Sequence, residues 1–342
     1  MSWCLRLVVA WGLSIGLALP ATAQTPGAAP APAAAQPAAA PARDARWAVV
    51  VSGASGGPDY AAQLAGWRQT IATALVSRFG FQPAQIVQLV DETAREQGTP
   101  ATADNLRKAF TTLRGQVGKD DLVLVVMLGH GTFDGAQAKF NLVGPDLTAA
   151  DWAVMLNGLP GRVVVVNTTE SSAPFLEALA ARGRVVITAT DTGAQKYATV
   201  FPDYFAKALA DVASDIDKNG RTSVWELFAS SSGAVARHYE ERAQLTTERA
   251  ILSDTGAREG VQATATGPQG TMARSLFLDR ESAAESTDPA VQELIGRRRA
   301  LEAQAEALIQ QKPAADAATW AAEFERLMIE LARVSRDIRQ RS

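Results

Sequence analysis

Thiols are all but missing: Cys4 is the single cysteine in 342 residues. One cysteine can form no internal disulfide and, alone, no sulfur-ligated metal centre. Histidine is as scarce, with only His130 and His238. No charge of one sign dominates, since 33 Lys+Arg stand against 36 Asp+Glu. That balance gives no electrostatic reason for a nucleic acid or an acidic membrane surface as partner. After the first 20 or so residues there is no apolar run long enough to span a bilayer. An apolar share of 47% still supplies a core.

The amino terminus has the pattern of a secretory signal over residues 1–23. Arg6 closes a short positive stretch, residues 7–19 are apolar, and Ala21-Thr22-Ala23 is a small-residue cleavage site. Cleavage after Ala23 would carry Cys4 away and place a chain with no thiol and no membrane span in the periplasm or outside the cell. A thiol-free chain is compatible with an oxidising compartment. Residues 24–45 are rich in Ala and Pro and nearly devoid of bulky apolar side chains, which suits an extended linker. Folding is expected to begin at Trp47.

From there apolar β-branched runs alternate with helical patterns. Strands are predicted at 47–53, 85–90, 121–128, 162–167 and 184–190, and helices at 60–80, 102–116, 149–159, 172–180, 202–213 and 223–243. Continuous apolar strands separated by amphipathic helices predict an α/β domain over 46–252. Its sheet is mostly parallel and covered on both faces, an αβα sandwich. Ligand chemistry in such a sheet gathers beyond the carboxyl ends of the strands. Residues 253–287 look like an irregular connector, with SLFL at 275–278 as a candidate edge strand. Over 288–342 two stripes predict a coiled-coil-like helical hairpin: Val291, Leu294, Leu301, Ala305 and Leu308, then Trp320, Phe324, Leu327, Leu331, Val334 and Ile338. The hairpin packs on itself or on the main domain, or serves in self-association.

His130 ends the 121–128 strand inside Leu128-Gly129-His130-Gly131, and the flanking glycines allow a sharp turn. One strand later comes Asn167-Thr168-Thr169-Glu170-Ser171-Ser172. Over residues 47–250 the pattern resembles bacterial caspase-like proteins related to the legumain-type cysteine peptidases. The resemblance implies a caspase/legumain-like three-layer fold. It makes His130 the base of the family's His-Gly turn and Gly131 a backbone donor to the oxyanion. It also puts Thr169 at the position of the nucleophilic cysteine, and likens residues 187–193 to the strand that lines the substrate cleft. A hydroxyl is far harder to ionise than a thiol, and Thr169 has no N-terminal amine to act as its base. His238 lies in a helical pattern with no metal partner in view.

Residues 215–226 fit a calcium-loop template. Asp215, Asp217 and Asn219 supply oxygens at alternate positions, Gly220 makes the bend, Arg221 offers its carbonyl, Ser223 follows, and Glu226 closes with a carboxylate. Ca²⁺ in a structural role is the expected ligand, although Thr222 stands where an apolar residue usually packs. The alternative is a turn that caps the next helix.

Three functions remain open: a non-catalytic peptidase-like domain that binds a peptide or protein, a hydrolase using Thr169 or a nearby serine with His130, and a structural envelope assembly protein.

Overall fold

The computed structural model describes residues 44–91, 98–265, 269–279, 288–311 and 316–341. The signal-type segment, Cys4 and most of the Ala/Pro-rich stretch lie outside the described residues.

In chain order the first half gives β1 (Arg46–Ser52), α1 (Pro58–Ser77), β2 (Ile86–Val90), β3 (Thr99–Pro100), α2 (Ala103–Gln116), β4 (Leu122–Leu128), β5 (Gly131–Phe133), β6 (Ala138–Phe140), β7 (Leu147–Thr148) and α3 (Ala149–Asn157). The second half gives β8 (Arg162–Asn167), α4 (Ala173–Leu179), β9 (Arg184–Thr188), α5 (Phe201–Ala210), α6 (Val224–Glu241), β10 (Ile251–Ser253), α7 (Thr271–Ser275), α8 (Pro289–Gln311) and α9 (Ala317–Arg341).

Seven strands form one sheet in the order β10-β9-β8-β4-β1-β2-β3. All its pairings are parallel except β10 on β9. Alternate residues of each strand face opposite layers. Ala48 and Val50 of β1 join the core under α1, α5 and α6, with Leu64, Ile71, Phe205 and Phe228. Val49 and Val51 join the core under α2, α3 and α4, with Phe110, Trp152 and Phe175. Both faces are therefore dry, which explains why these strands are continuously apolar. Fully burying a side chain such as Phe110 contributes about 1.5–3 kcal/mol.

The connector differs from its sequence expectation. The antiparallel edge strand is Ile251–Ser253, while SLFL begins at the end of α7 and, among the described residues, makes an isolated bridge, Phe277 to Ser223. Ala273, Leu276 and Leu278 are buried in the main core, so this stretch covers α6 rather than leading away from it. At the other end Ala45 is buried and its N–H donates to Asp121 Oδ1 at 2.7 Å, so Asp44 and Ala45 already belong to the fold. A second, three-stranded sheet, β5-β6-β7, was too short to show in the periodicity.

The helical hairpin forms as its stripes require. Val291, Ile295, Leu301, Leu327, Val334 and Ile338 are buried between α8 and α9. Trp320 Nε1 donates to the Leu308 carbonyl at 2.8 Å and Arg297 meets Glu330 at 3.0 Å, so the two helices run antiparallel.

Candidate functional site

The winding of the sheet reverses at β1 and β4: β2 and β3 lie to one side, β8, β9 and β10 to the other. A crevice forms where such a reversal occurs, beyond the carboxyl ends of the strands. His130 leaves β4 at that point. The turn passes through Gly129 at φ 139, where a Cβ would stand 3.3 Å from the Gly53 nitrogen; only glycine fits both conditions.

β8 neighbours β4, with Met127 opposite Asn167, so the segment after β8 meets the His130 turn. The histidine side chain is 30% exposed and its Nδ1 lies 2.9 Å from Glu170 Oε1. Its ring stacks on Tyr60 with centroids 4.5 Å apart. The Glu170 hydrogen bond holds the His130 pKa above its ordinary value; burial opposes this, and the Glu170 charge and a backbone hydrogen bond to Ser55 add to it. An imidazolium gripped in this way is stabilised as the charged form. Burial, then the Glu170 charge, push the Tyr60 phenol up, so it stays a donor, 3.3 Å from the Gly129 carbonyl. Glu170 Oε2 is buried with no hydrogen-bond partner among the described residues.

Thr169 is near this pair, but its hydroxyl bonds elsewhere than to the imidazole. Its residue exposure is 0%, and its hydroxyl lies 2.8 Å from Asn167 Oδ1 and 3.1 Å from the Glu170 carbonyl. Its own N–H donates to Asn167 Oδ1 as well, at 3.0 Å, closing a local turn. Gly131 seals it over: a Cβ on Gly131 would stand 2.4 Å from Thr169 Oγ1 and 2.5 Å from the Glu170 carbonyl oxygen. The other hydroxyls of the segment are also engaged. Thr168 donates to the Met127 carbonyl at 2.7 Å, Ser171 to the Gln195 carbonyl at 2.8 Å, and Ser172 lies 3.1 Å from Thr190 Oγ1. Ser171 holds φ at 51°, unusual for a residue with a side chain, and both its N–H and its hydroxyl grip Gln195 there.

The structure thus brings His130, Gly131 and Thr169 close together, and the partner of the imidazole is Glu170. Sequence reasoning missed Glu170, Tyr60 and Ser55. Glu170 was legible as an ionisable residue one position past Thr169, but which of two adjacent side chains faces the ring depends on the turn geometry. Beside the pair, not over it, lies a groove of about 510 Å³ lined by Phe133, Gln137, Thr148, Pro174, Glu177 and Arg258.

The loop before α6 is a separate cluster. One carboxylate oxygen from each of Asp215, Asp217 and Glu226 lies within 4.8 Å of the others. Asp215 accepts from the Asn219 and Gly220 N–H groups and Asp217 from Asn219, which wraps the backbone around the acids. Loss of solvation, then the charges of Glu226 and Asp215, push the Asp217 pKa up to about 6. Hard oxygen donors whose negative charges crowd one another fit a divalent cation. Asp215, Asp217, Asn219, the Arg221 carbonyl, Ser223 and Glu226 are the residues that would hold it. Two of them also serve the helix: Ser223 caps α6 and shares a capping box with Glu226. The Arg221 side chain reaches Asp279 Oδ2 at 2.8 Å. His238 lies apart on α6, with Nδ1 2.9 Å from the Tyr204 hydroxyl.

No family model matches the chain, and no curated protein matches it. Solved structures do. The chain is similar to a Geobacter sulfurreducens protein at 13% identity and TM-score 0.39, over 61% of this chain and 92% of that one. It is similar to the Drosophila initiator caspase Dronc at 13% identity and TM-score 0.41, over 65% and 85%. It is also similar to caspase-1 from Spodoptera frugiperda at 9% identity and TM-score 0.41, over 62% and 87%.

Proposed function

We propose that this chain is an exported caspase/legumain-like domain that binds a peptide or protein segment and does not cleave it. The observation that carries the proposal is the fate of the hydroxyl at the nucleophile position. Thr169 Oγ1 is buried, bonded to Asn167 and capped by Gly131. A nucleophile needs a base within hydrogen-bond reach and an open approach for the carbonyl. Glu170 holds the Nδ1 edge of the His130 ring, while the partners of the Thr169 hydroxyl are Asn167 and the Glu170 carbonyl rather than the imidazole. The neighbouring hydroxyls are similarly committed to backbone or side-chain partners, which weighs against a serine in the same role.

A binding role is supported by what surrounds the pair. β5 is an edge strand of its small sheet and leads from Gly131 to Phe133, which lines the neighbouring groove. An edge strand beside a groove suits an extended peptide, with main-chain hydrogen bonds for affinity and the groove for one side chain. In the same proposal the 215–226 loop carries a structural Ca²⁺ that relieves the crowding of Asp215, Asp217 and Glu226.

Selection from a displayed random-peptide library tests the binding role. Enrichment on the native protein, lost when Ala136→Trp, at an exposed position lining the groove beside β5, fills it, supports it. Equal enrichment on the two proteins, or none on either, refutes it.

A further inference from the structure

We infer that the outer face of α9 is an isologous dimerisation surface, and that its occupant is α9 of a second copy of this chain, running antiparallel. α9 spends its inner face on α8, where Leu327, Val334 and Ile338 are buried. On the opposite face Ile329 is 45% exposed, a large apolar side chain in water. Ile329 is also the midpoint of the helix, which runs from Ala317 to Arg341.

The residues sharing its face at helical spacing are small or polar: Ala318, Ala322 and Glu325 before it, Arg333, Arg336 and Gln340 after it. All six are exposed. The face is thus acidic and small on one side of Ile329, basic and long on the other. A helix with this pattern is complementary to itself only when reversed. Crossing two copies antiparallel at Ile329 sets Ile329 on Ile329 at the two-fold axis. Glu325 then stands opposite Arg333 of the second copy, and the symmetry repeats the pair on the other side. Arg336 lays its aliphatic stem over Ala322 of the second copy, and Gln340 reaches across to Ala318. A parallel crossing would stack the arginines against one another instead.

The intrahelical ion pairs leave this arrangement free. Arg326 is taken by Glu323 and Glu330 on its own helix, whereas Glu325 and Arg333 have no ion pair among the described residues. One helix face about 37 Å long lies at the small end of specific interfaces, so the dimer is concentration-dependent and weakened by salt. The surface is remote in sequence from the His130 cleft, and the two proposals stand or fall separately.

Sedimentation of the purified protein over a concentration series, at low and at high ionic strength, tests the inference. A monomer–dimer equilibrium is expected, shifted toward monomer by salt. Ile329→Lys, at an exposed position that should fold normally, abolishes the dimer. Glu325→Arg raises the dissociation constant by about tenfold or more, and adding Arg333→Glu restores it. In a Cys4→Ser background, Ile329→Cys forms an intermolecular disulfide faster than Met328→Cys, because only a residue on the axis meets its own copy. A protein that stays monomeric throughout, a dimer unaffected by Ile329→Lys, or a charge reversal without rescue overturns the inference.

Discussion

Nδ1 of His130 lies 2.9 Å from Oε1 of Glu170, while the hydroxyl of Thr169, one residue earlier in the chain, lies 2.8 Å from Asn167 Oδ1. A single turn thus aims a carboxylate at the imidazole and withdraws the alcohol. A carboxylate on Nδ1 raises the basicity of the ring. A base acts only on a group within hydrogen-bond reach, however, and the Thr169 hydroxyl is bonded to Asn167 and the Glu170 carbonyl instead.

That pairing gives stability a defined pH dependence. The folded His130 pKa is raised, so the pair contributes fully below the unfolded value near 6.5 and its contribution fades as pH climbs through the folded value. Glu170→Gln should cost about 1 kcal/mol in mild acid, and less as pH rises. Denaturant unfolding of both proteins across the pH range checks it. A gap that widens toward alkaline pH would be the wrong sign.

Restoring sulfur should not restore a dyad. Thr169→Cys places a thiol in a pocket with residue exposure of 0%, capped by Gly131. A buried thiol without its own imidazole partner keeps a high pKa and reacts slowly. Labelling by an electrophilic peptide, followed by intact mass, should match the unreactive native protein. Rapid labelling lost on His130→Ala would show that the cleft still aligns the two groups.

Gly131→Ala isolates the packing of that cap. Its Cβ would press within 2.5 Å of both Thr169 Oγ1 and the Glu170 carbonyl, and backbone cannot yield as a side-chain tip does. A loss of about 1–3 kcal/mol is expected, the usual cost of overpacking. Thermal unfolding measures it, and an unchanged midpoint would mean that the turn is looser than described.

The residues made much of this legible, and unevenly. Val123–Val126 and Val163–Val166 are apolar on both faces because helices cover both, so the sheet and the meeting of His130 with the 167–172 segment follow from pattern alone. β5, β6 and β7 span only two or three residues each, too few for a period to show. The antiparallel edge at Ile251–Ser253 was missed for the same reason. Ala273, Leu276 and Leu278 sit in a Ser/Thr-rich stretch whose burial depends on a tertiary contact with α6. Glu170 was visible as a residue and invisible as a partner, because the turn that aims it depends on Ser171 held at positive φ by Gln195.

Calcium should raise the melting temperature of the metal-stripped protein, and magnesium should do so less, since its tight octahedron fits a flexible oxygen loop poorly. Asp217→Asn should remove most of the calcium effect while leaving the Ser223–Glu226 capping box intact. Glu226→Gln should also weaken the metal-free protein, by about 1 kcal/mol, because that carboxylate serves the start of α6. Scanning calorimetry with chelator and with each ion separates these outcomes. Equal stability with and without calcium would leave the loop as a helix-capping turn.

The most direct measurement is cleavage itself. The purified protein is incubated with a diverse peptide mixture beside its His130→Ala and Glu170→Gln variants, and new termini are identified by mass spectrometry. With Thr169 enclosed and its hydroxyl bonded to Asn167, all three should give the same faint background. A set of cleavages made by the native chain and abolished by His130→Ala would contradict the account.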